Sequence, residues 1–234
     1  MLTLFHYSYD TPLENIAVDE ALLHMVNNDL NQNGILRLWE SKRTFVVLGL
    51  SKKIVNDVHE HACRLDNIPI LKRCSGGGTV LQGPGCFNYS YILPISLSPQ
   101  LESVSHTTNY VLSLVQSALR TIAPHSQQKG ISDLVENNIK FSGNAQRRLK
   151  HAILFHGTIL YQFDLTLVES YLKHPPIQPD YRKNRNHLSF IKNINTTYES
   201  LVQAFTGQTR EKISYTDVTI PIDILTKTKK RVLN

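Results

Sequence analysis

Arg73-Cys74-Ser75-Gly76-Gly77-Gly78-Thr79-Val80 places three consecutive glycines between two apolar, strand-like stretches. Ile68-Pro69-Ile70-Leu71 precedes them. Thr79-Val80-Leu81 and then Phe87-Asn88-Tyr89-Ser90-Tyr91-Ile92 follow. Glycine weakens strand interiors, so three together mark a backbone that turns sharply or lets a ligand come close. Arg73, Ser75 and Thr79 could supply polar contacts to an anion. Two readings fit the run alone: a ligand loop, or a glycine-rich hairpin.

The rest of the chain narrows the choice. Its 234 residues, 41% hydrophobic and 19% charged, suffice for a buried core without a metal or disulfide. Three cysteines, Cys63, Cys74 and Cys86, are too few and wrongly spaced for a disulfide framework. They read as reduced thiols, so a cytoplasmic location is expected. The N-terminus has no basic region followed by a long apolar run, and no stretch reaches membrane-spanning length. The net charge of +6 suits an anionic ligand or acidic partner. It is too diffuse for nucleic acid, and no nucleic-acid motif is present. Lys227-Thr228-Lys229-Lys230-Arg231 reads as a solvated end.

Hydrophobic spacing predicts a first strand at Thr3–Ser8 and a helix over Asn15–Val26. Two strands, Ile35–Trp39 and Thr44–Leu48, follow, joined by the polar Glu40–Arg43. A helix is predicted over Ile54–Arg64 and a long one over His106–Ala123. Strands are predicted at Ser132–Glu136, Ile139–Ser142 and Ala152–Phe163, and helices at Leu165–His174 and Ser200–Phe205. The short links favour antiparallel pairing. Together they give one α+β domain over residues 1–234, with mixed or antiparallel sheets carrying packed helices.

A second informative stretch is Asn138-Ile139-Lys140-Phe141-Ser142-Gly143-Asn144-Ala145-Gln146. Lys140 alternates with two apolar residues, so on a strand it faces away from both, into a cleft or into water. A turn at Ser142-Gly143-Asn144 is expected after it. Further on, Phe155-His156-Gly157-Thr158-Ile159-Leu160 sets a histidine in an apolar run.

These three motifs, in this order, resemble the biotin/lipoate protein ligase superfamily, and most of all the lipoate–protein ligases. The likeness extends to Asn15–Leu22, Leu38-Trp39 and Val46–Gly49, roughly residues 1–170. It implies a catalytic domain that joins a carboxylic acid, lipoate or octanoate, to ATP with magnesium. The products are an acyl-adenylate and pyrophosphate. A lysine of an acceptor lipoyl domain, on a 2-oxoacid dehydrogenase or a glycine cleavage protein, then takes the acyl group. The resemblance makes Lys140 the catalytic cation at the acyl carbonyl and phosphate. Arg73 pairs with phosphate, and Ser75, Gly76, Gly77, Gly78 and Thr79 form the close-approach loop. Asp133 lies near the metal or adenine end, Gly143 follows the lysine, and His156 and Gly157 line the pocket. No protein-held metal is implied.

There are departures from the pattern. Gln82 stands where the ligases commonly carry histidine, and Gly85-Cys86-Phe87-Asn88 where Gly-Asn is usual. The chain is expected to end before the ligases' small C-terminal accessory domain, which a separate subunit supplies in some relatives. Two other functions are consistent with the fold the resemblance implies. One is an ATP-independent octanoyl or lipoyl transferase working through a cysteine thioester, for which Cys86 is the candidate. The other is a non-catalytic lipoate-binding protein. The segment Gln178–Phe190, with two arginines, a tyrosine and a histidine after prolines, fits either an active-site flap or an ordered surface loop.

Overall fold

The structure is a computed structural model and describes residues 2–29, 33–207, 214–215 and 222–233. The strands are β1 (Leu2–His6), β2 (Gly34–Trp39), β3 (Phe45–Leu48), β4 (Ile70–Lys72), β5 (Val80–Gln82), β6 (Cys86–Pro94), β7 (Gln127–Lys129), β8 (Asp133–Glu136), β9 (Ile139–Arg148), β10 (Ala152–Leu160) and β11 (Ser214–Tyr215). The helices are α1 (Pro12–Asn28), α2 (Ile54–Asp57), α3 (Glu60–Leu65), α4 (Val104–Ala118), α5 (Thr166–Tyr171), α6 (His187–Phe190), α7 (Tyr198–Gly207) and α8 (Ile222–Leu233).

Two sheets result. The larger runs β11-β1-β2-β6-β10-β9-β8-β7 and the smaller β4-β3-β5. β1 lies parallel to β2 because α1 carries the chain back between them, and β3 lies parallel to β4. The pairs joined by short links, β7–β8, β8–β9 and β9–β10, are antiparallel, as are the more distant β2–β6, β6–β10 and β3–β5. This is the expected α+β architecture with mixed sheets.

Local chemistry fixes the elements that position the site. Thr11 caps α1: its hydroxyl accepts from the Glu14 amide and donates to the Glu14 carboxylate, with Pro12 in the first turn. α1 is buried almost all round because β6 and β10 cover one side and α8 the other. One core fills the opposite face of the large sheet, where α4 and α7 pack on Tyr89, Phe141 and Phe155. The small sheet builds its own core with α5 and Cys86.

Three expectations are corrected, and one link is clarified. β2 and β3, joined by Glu40–Arg43 as expected, belong to different sheets. Glu40 anchors the crossing by accepting from the Gly85 amide and the Tyr161 hydroxyl. The helix expected over Ile54–Arg64 breaks into α2 and α3 because Val58 is extended and bridges Leu172. No turn interrupts Ser142-Gly143-Asn144: β9 continues to Arg148, each residue paired along β10. The basic tail is not a solvated end. It is α8, which docks on α1 through Val232, a Lys229–Glu14 pair at 2.9 Å and an Arg231–Glu20 pair.

Candidate active site

Residues 73–79 connect β4 to β5 and hang from the small sheet over β9 and β10 of the large one. Arg73 organises this loop from within. Its guanidinium donates to Ser75 Oγ (3.0 Å) and to the carbonyls of Val47 (3.3 Å), Gly76 (2.6 Å) and Gly78 (2.8 Å). Burial with no carboxylate beside it lowers its pKa to about 10. In this arrangement the loop's own carbonyls occupy much of the Arg73 side chain. Gly77 sits at φ +90, a conformation costly for other residues, while a side chain on Gly76 or Gly78 would meet open space. That space is room for a ligand beside the backbone. A side chain at Gly49 would fall on the Gly77 carbonyl oxygen.

Lys140 projects from β9 into the cavity while Phe141 turns into the core, as the alternation predicts. Its ammonium pairs with Asp133 at 2.7 Å. The other Asp133 oxygen accepts from Tyr181 at 2.7 Å. Burial and the Asp133 carboxylate push the Tyr181 pKa up, so it remains a donor. Gly143 makes the lysine's place: a Cβ there would stand 2.8 Å from Nζ.

Ser75 and His156 belong to a buried chain of donors behind the loop. Ser75 Oγ lies 2.6 Å from His156 Nε2, and His156 Nδ1 lies 3.4 Å from Asp19 Oδ2. The carboxylate favours a proton on Nδ1, which leaves Nε2 to accept from the serine hydroxyl. Asp19 also accepts from Ser90 and from Arg37 at 2.5 Å. Burial raises the Asp19 pKa, but Arg37, His156 and Ser90 outweigh it and hold the carboxyl below its ordinary value. The sequence shows Asp19 in a matching helix without this role; its signal was a carboxylate in a helix of largely apolar composition.

Past His156, the wall is Trp39, Asn88, Gln82, Tyr89 and Thr158. Asn88 Nδ2 donates to the Cys86 carbonyl (3.0 Å), so its oxygen accepts the Thr158 hydroxyl (2.6 Å), which in turn accepts from Gln82 (2.6 Å). Gly157 is required by crowding, since a side chain there would collide with Asn144 and the Tyr89 hydroxyl. The Thr79 hydroxyl is buried with no partner among the described residues.

Arg73, Gly77, Gly78, Thr79, Asp133, Lys140, His156 and Asp19 line one cavity of about 870 Å³, within the range of small-ligand sites, while Ser75, Gly76, Arg37 and Gly49 do not line it. The Gln178–Phe190 segment forms another wall through Tyr181, Arg182, His187 and Phe190. Of the two readings of that segment, the structure therefore has it packed on the site. No cysteine lines the cavity. Cys86 is fully buried in the small-sheet core, where desolvation pushes its thiol far up. A thioester nucleophile is thus missing from this geometry.

The fold and cavity define an α+β domain with a small-ligand-sized cavity between two sheets. Residues 11–213 match the lipoyl protein ligase A/B catalytic domain, and the chain belongs to that family. It is 28% identical over 204 residues to a probable lipoate–protein ligase A of Mycoplasma pneumoniae, covering 83% of this chain and 58% of that protein. The chain spans about half the length of the curated relatives it matches. Among solved structures it resembles a bi-partite lipoate protein ligase of Thermoplasma acidophilum studied with its E2 lipoyl domain. That likeness has a TM-score of 0.79 at 18% identity, over 97% of this chain and 90% of the other. A lipoate–protein ligase A bound with ATP aligns with a TM-score of 0.75 at 19% identity, over 98% and 92%. Among the described residues, no helix is long and apolar enough to cross a membrane.

Proposed function

We propose that this chain, as one catalytic domain, activates lipoate or octanoate with magnesium-bound ATP and transfers the acyl group to a lysine of a lipoyl acceptor domain. The observation that carries the reading is Lys140. It is a cation held at 2.7 Å by Asp133, inside a cavity walled by the glycine loop, in a chain of the lipoyl ligase family. In the first step a carboxylate oxygen of the acid bonds to the α-phosphorus, and pyrophosphate leaves with the electron pair. In the second the acceptor amine bonds to the acyl carbon, AMP leaves, and the amine gives up a proton. Negative charge grows on the α-phosphate and then on the acyl oxygen. A positioned ammonium stabilises both without itself becoming a nucleophile. Trp39, Ile16 and Leu81 offer apolar surface for the acyl chain. The family relatives' names, and the ATP held by one structural neighbour, support ATP and lipoate as the substrates.

The test is intact-mass analysis of a lipoyl acceptor domain after incubation with this protein, lipoate and magnesium-ATP. A gain of one lipoyl group that requires ATP is expected. Labelling from an octanoyl carrier protein without ATP would overturn the reading in favour of a transferase. Lipoate binding with no product under any condition would leave a binding protein.

A further inference from the structure

The cations around the cavity differ in what they already hold. Lys140 has Asp133, Lys52 faces Asp57 at 3.6 Å, and Arg73 is occupied by loop carbonyls. Arg185 is likewise occupied, by the carbonyls of Tyr181, Arg182, Ser189 and Asn138. Arg182, the other guanidinium that lines the cavity, differs from Arg73 in having a single carbonyl partner. The residue is only 5% exposed, yet among the described residues no carboxylate pairs with it. Its Nε donates to the Arg185 carbonyl at 3.0 Å, and one terminal nitrogen stands 3.5 Å from His187 Nδ1. Phe190 supports the plane of the group at 4.5 Å. A buried, stacked guanidinium with donors to spare and no counter-ion is a costly arrangement unless an anion completes it.

Its place in the fold points to which anion. Tyr181, the residue before it, reaches Asp133, and Asp133 holds Lys140. The segment that follows returns to the same strand, where the Lys192 amide donates to the Lys140 carbonyl at 2.8 Å. Arg182 thus lines the same cavity as the proposed reacting centre, on a separate wall.

We propose that Arg182 clamps the β,γ-diphosphate of ATP, presenting its fork of N–H groups to the pyrophosphate that departs when the acid is activated. The inference rests on the ligase reading for the identity of the anion. Lys140 serves the α-phosphate and acyl carbon, while Arg182 binds the leaving group and neutralises the charge it takes with the electron pair. The clamp acts on nucleotide affinity and on adenylation, and leaves the acid's own binding alone.

Calorimetry with inorganic pyrophosphate and with magnesium-ATP tests this on the full chain, beside lipoate binding and the kinetics of pyrophosphate release. Arg182→Gln is expected to weaken both anions by about tenfold or more, and to leave lipoate binding unchanged. Arg182→Lys should recover part of the loss, since it keeps the charge but not the fork. Unaltered ATP and pyrophosphate affinity in Arg182→Gln would overturn the assignment. So would a loss of lipoate binding in both variants, which would make Arg182 a support for the loop. Should the wild type form acyl-adenylate while the variants match it, only the clamp falls. Arg182-dependent pyrophosphate binding with no acyl-adenylate from the wild type would sink the ligase reading and keep the anion site. A wild type that binds neither anion would sink both.

Discussion

A lysine alternating with Ile139 and Phe141 faces a cleft or water, and the choice between them lies in the partner. Asp133 is seven residues earlier, and the β8–β9 hairpin brings it to 2.7 Å from Nζ. Lys140 was legible because its strand alternation and surrounding motif both survive in the sequence. Arg73 was legible as a cation beside glycines, but its burial and its main-chain carbonyl acceptors are displayed by no sequence. Arg182 was visible only as one of several polar residues in a conspicuous loop; burial without a counter-ion is a property of the folded chain. At this scale the expected result is that Lys140→Ala slows pyrophosphate release by about 10²–10³. Its melting temperature should fall by only a few degrees, since the loss strands the Asp133 carboxylate but leaves the fold's core intact. A variant with the full rate of acceptor labelling would remove Lys140 from the chemistry.

Among the elements, the sequence signals failed where tertiary pairing overrode local chemistry. Ser142-Gly143-Asn144 has the composition of a turn. It stays extended because β10 pairs along it, with Asn144 set opposite Gly157. The Gly143 that suggested a turn instead leaves room for the lysine's side chain in its present position. The C-terminal basic run suggested a solvated end, but three of its neighbours in space are supplied by α1 and β4. Arg231 pairs with Glu20 and donates to the Lys72 carbonyl at 3.1 Å, joining the helix of Asp19 to the strand that leads into Arg73. Arg231→Ala leaves the largely buried Glu20 carboxylate without its cation. The expected cost is about 1–3 kcal/mol, or roughly 2–4 °C of melting temperature per kcal/mol. A denaturant titration showing no shift would mean that α8 is held by Val232 and its apolar neighbours alone.

For the whole molecule, the α+β class was readable from the alternation of strand and helix patterns. The division into two sheets was not, because it depends on Glu40 turning the chain out of one sheet into another. That division creates the cavity, while titratable groups buried in and beside the cores give stability a defined pH range. Asp19 is held below its ordinary value, so its contribution is present above that value and lost as pH falls through the lower folded one. Burial pushes Cys74 up to about 12, and Tyr198 likewise to about 12. Their contributions are present below the ordinary thiol and phenol values and are lost as pH rises toward 12. Urea midpoints measured across pH should therefore hold a plateau between about pH 5 and 8 and fall on both sides. Stability unchanged up to pH 11 would contradict the burial of these groups. One contact between the two arms of the small sheet has a further consequence, for how this sequence can drift. Because a side chain at residue 49 would occupy the place of the Gly77 carbonyl, the two glycines form a single mutable unit although 28 positions separate them. A library randomised only at the glycine loop would sample conformations that Gly49 permits, and one randomised at residue 49 would return almost nothing but glycine. Variation in this loop must be explored at both positions together.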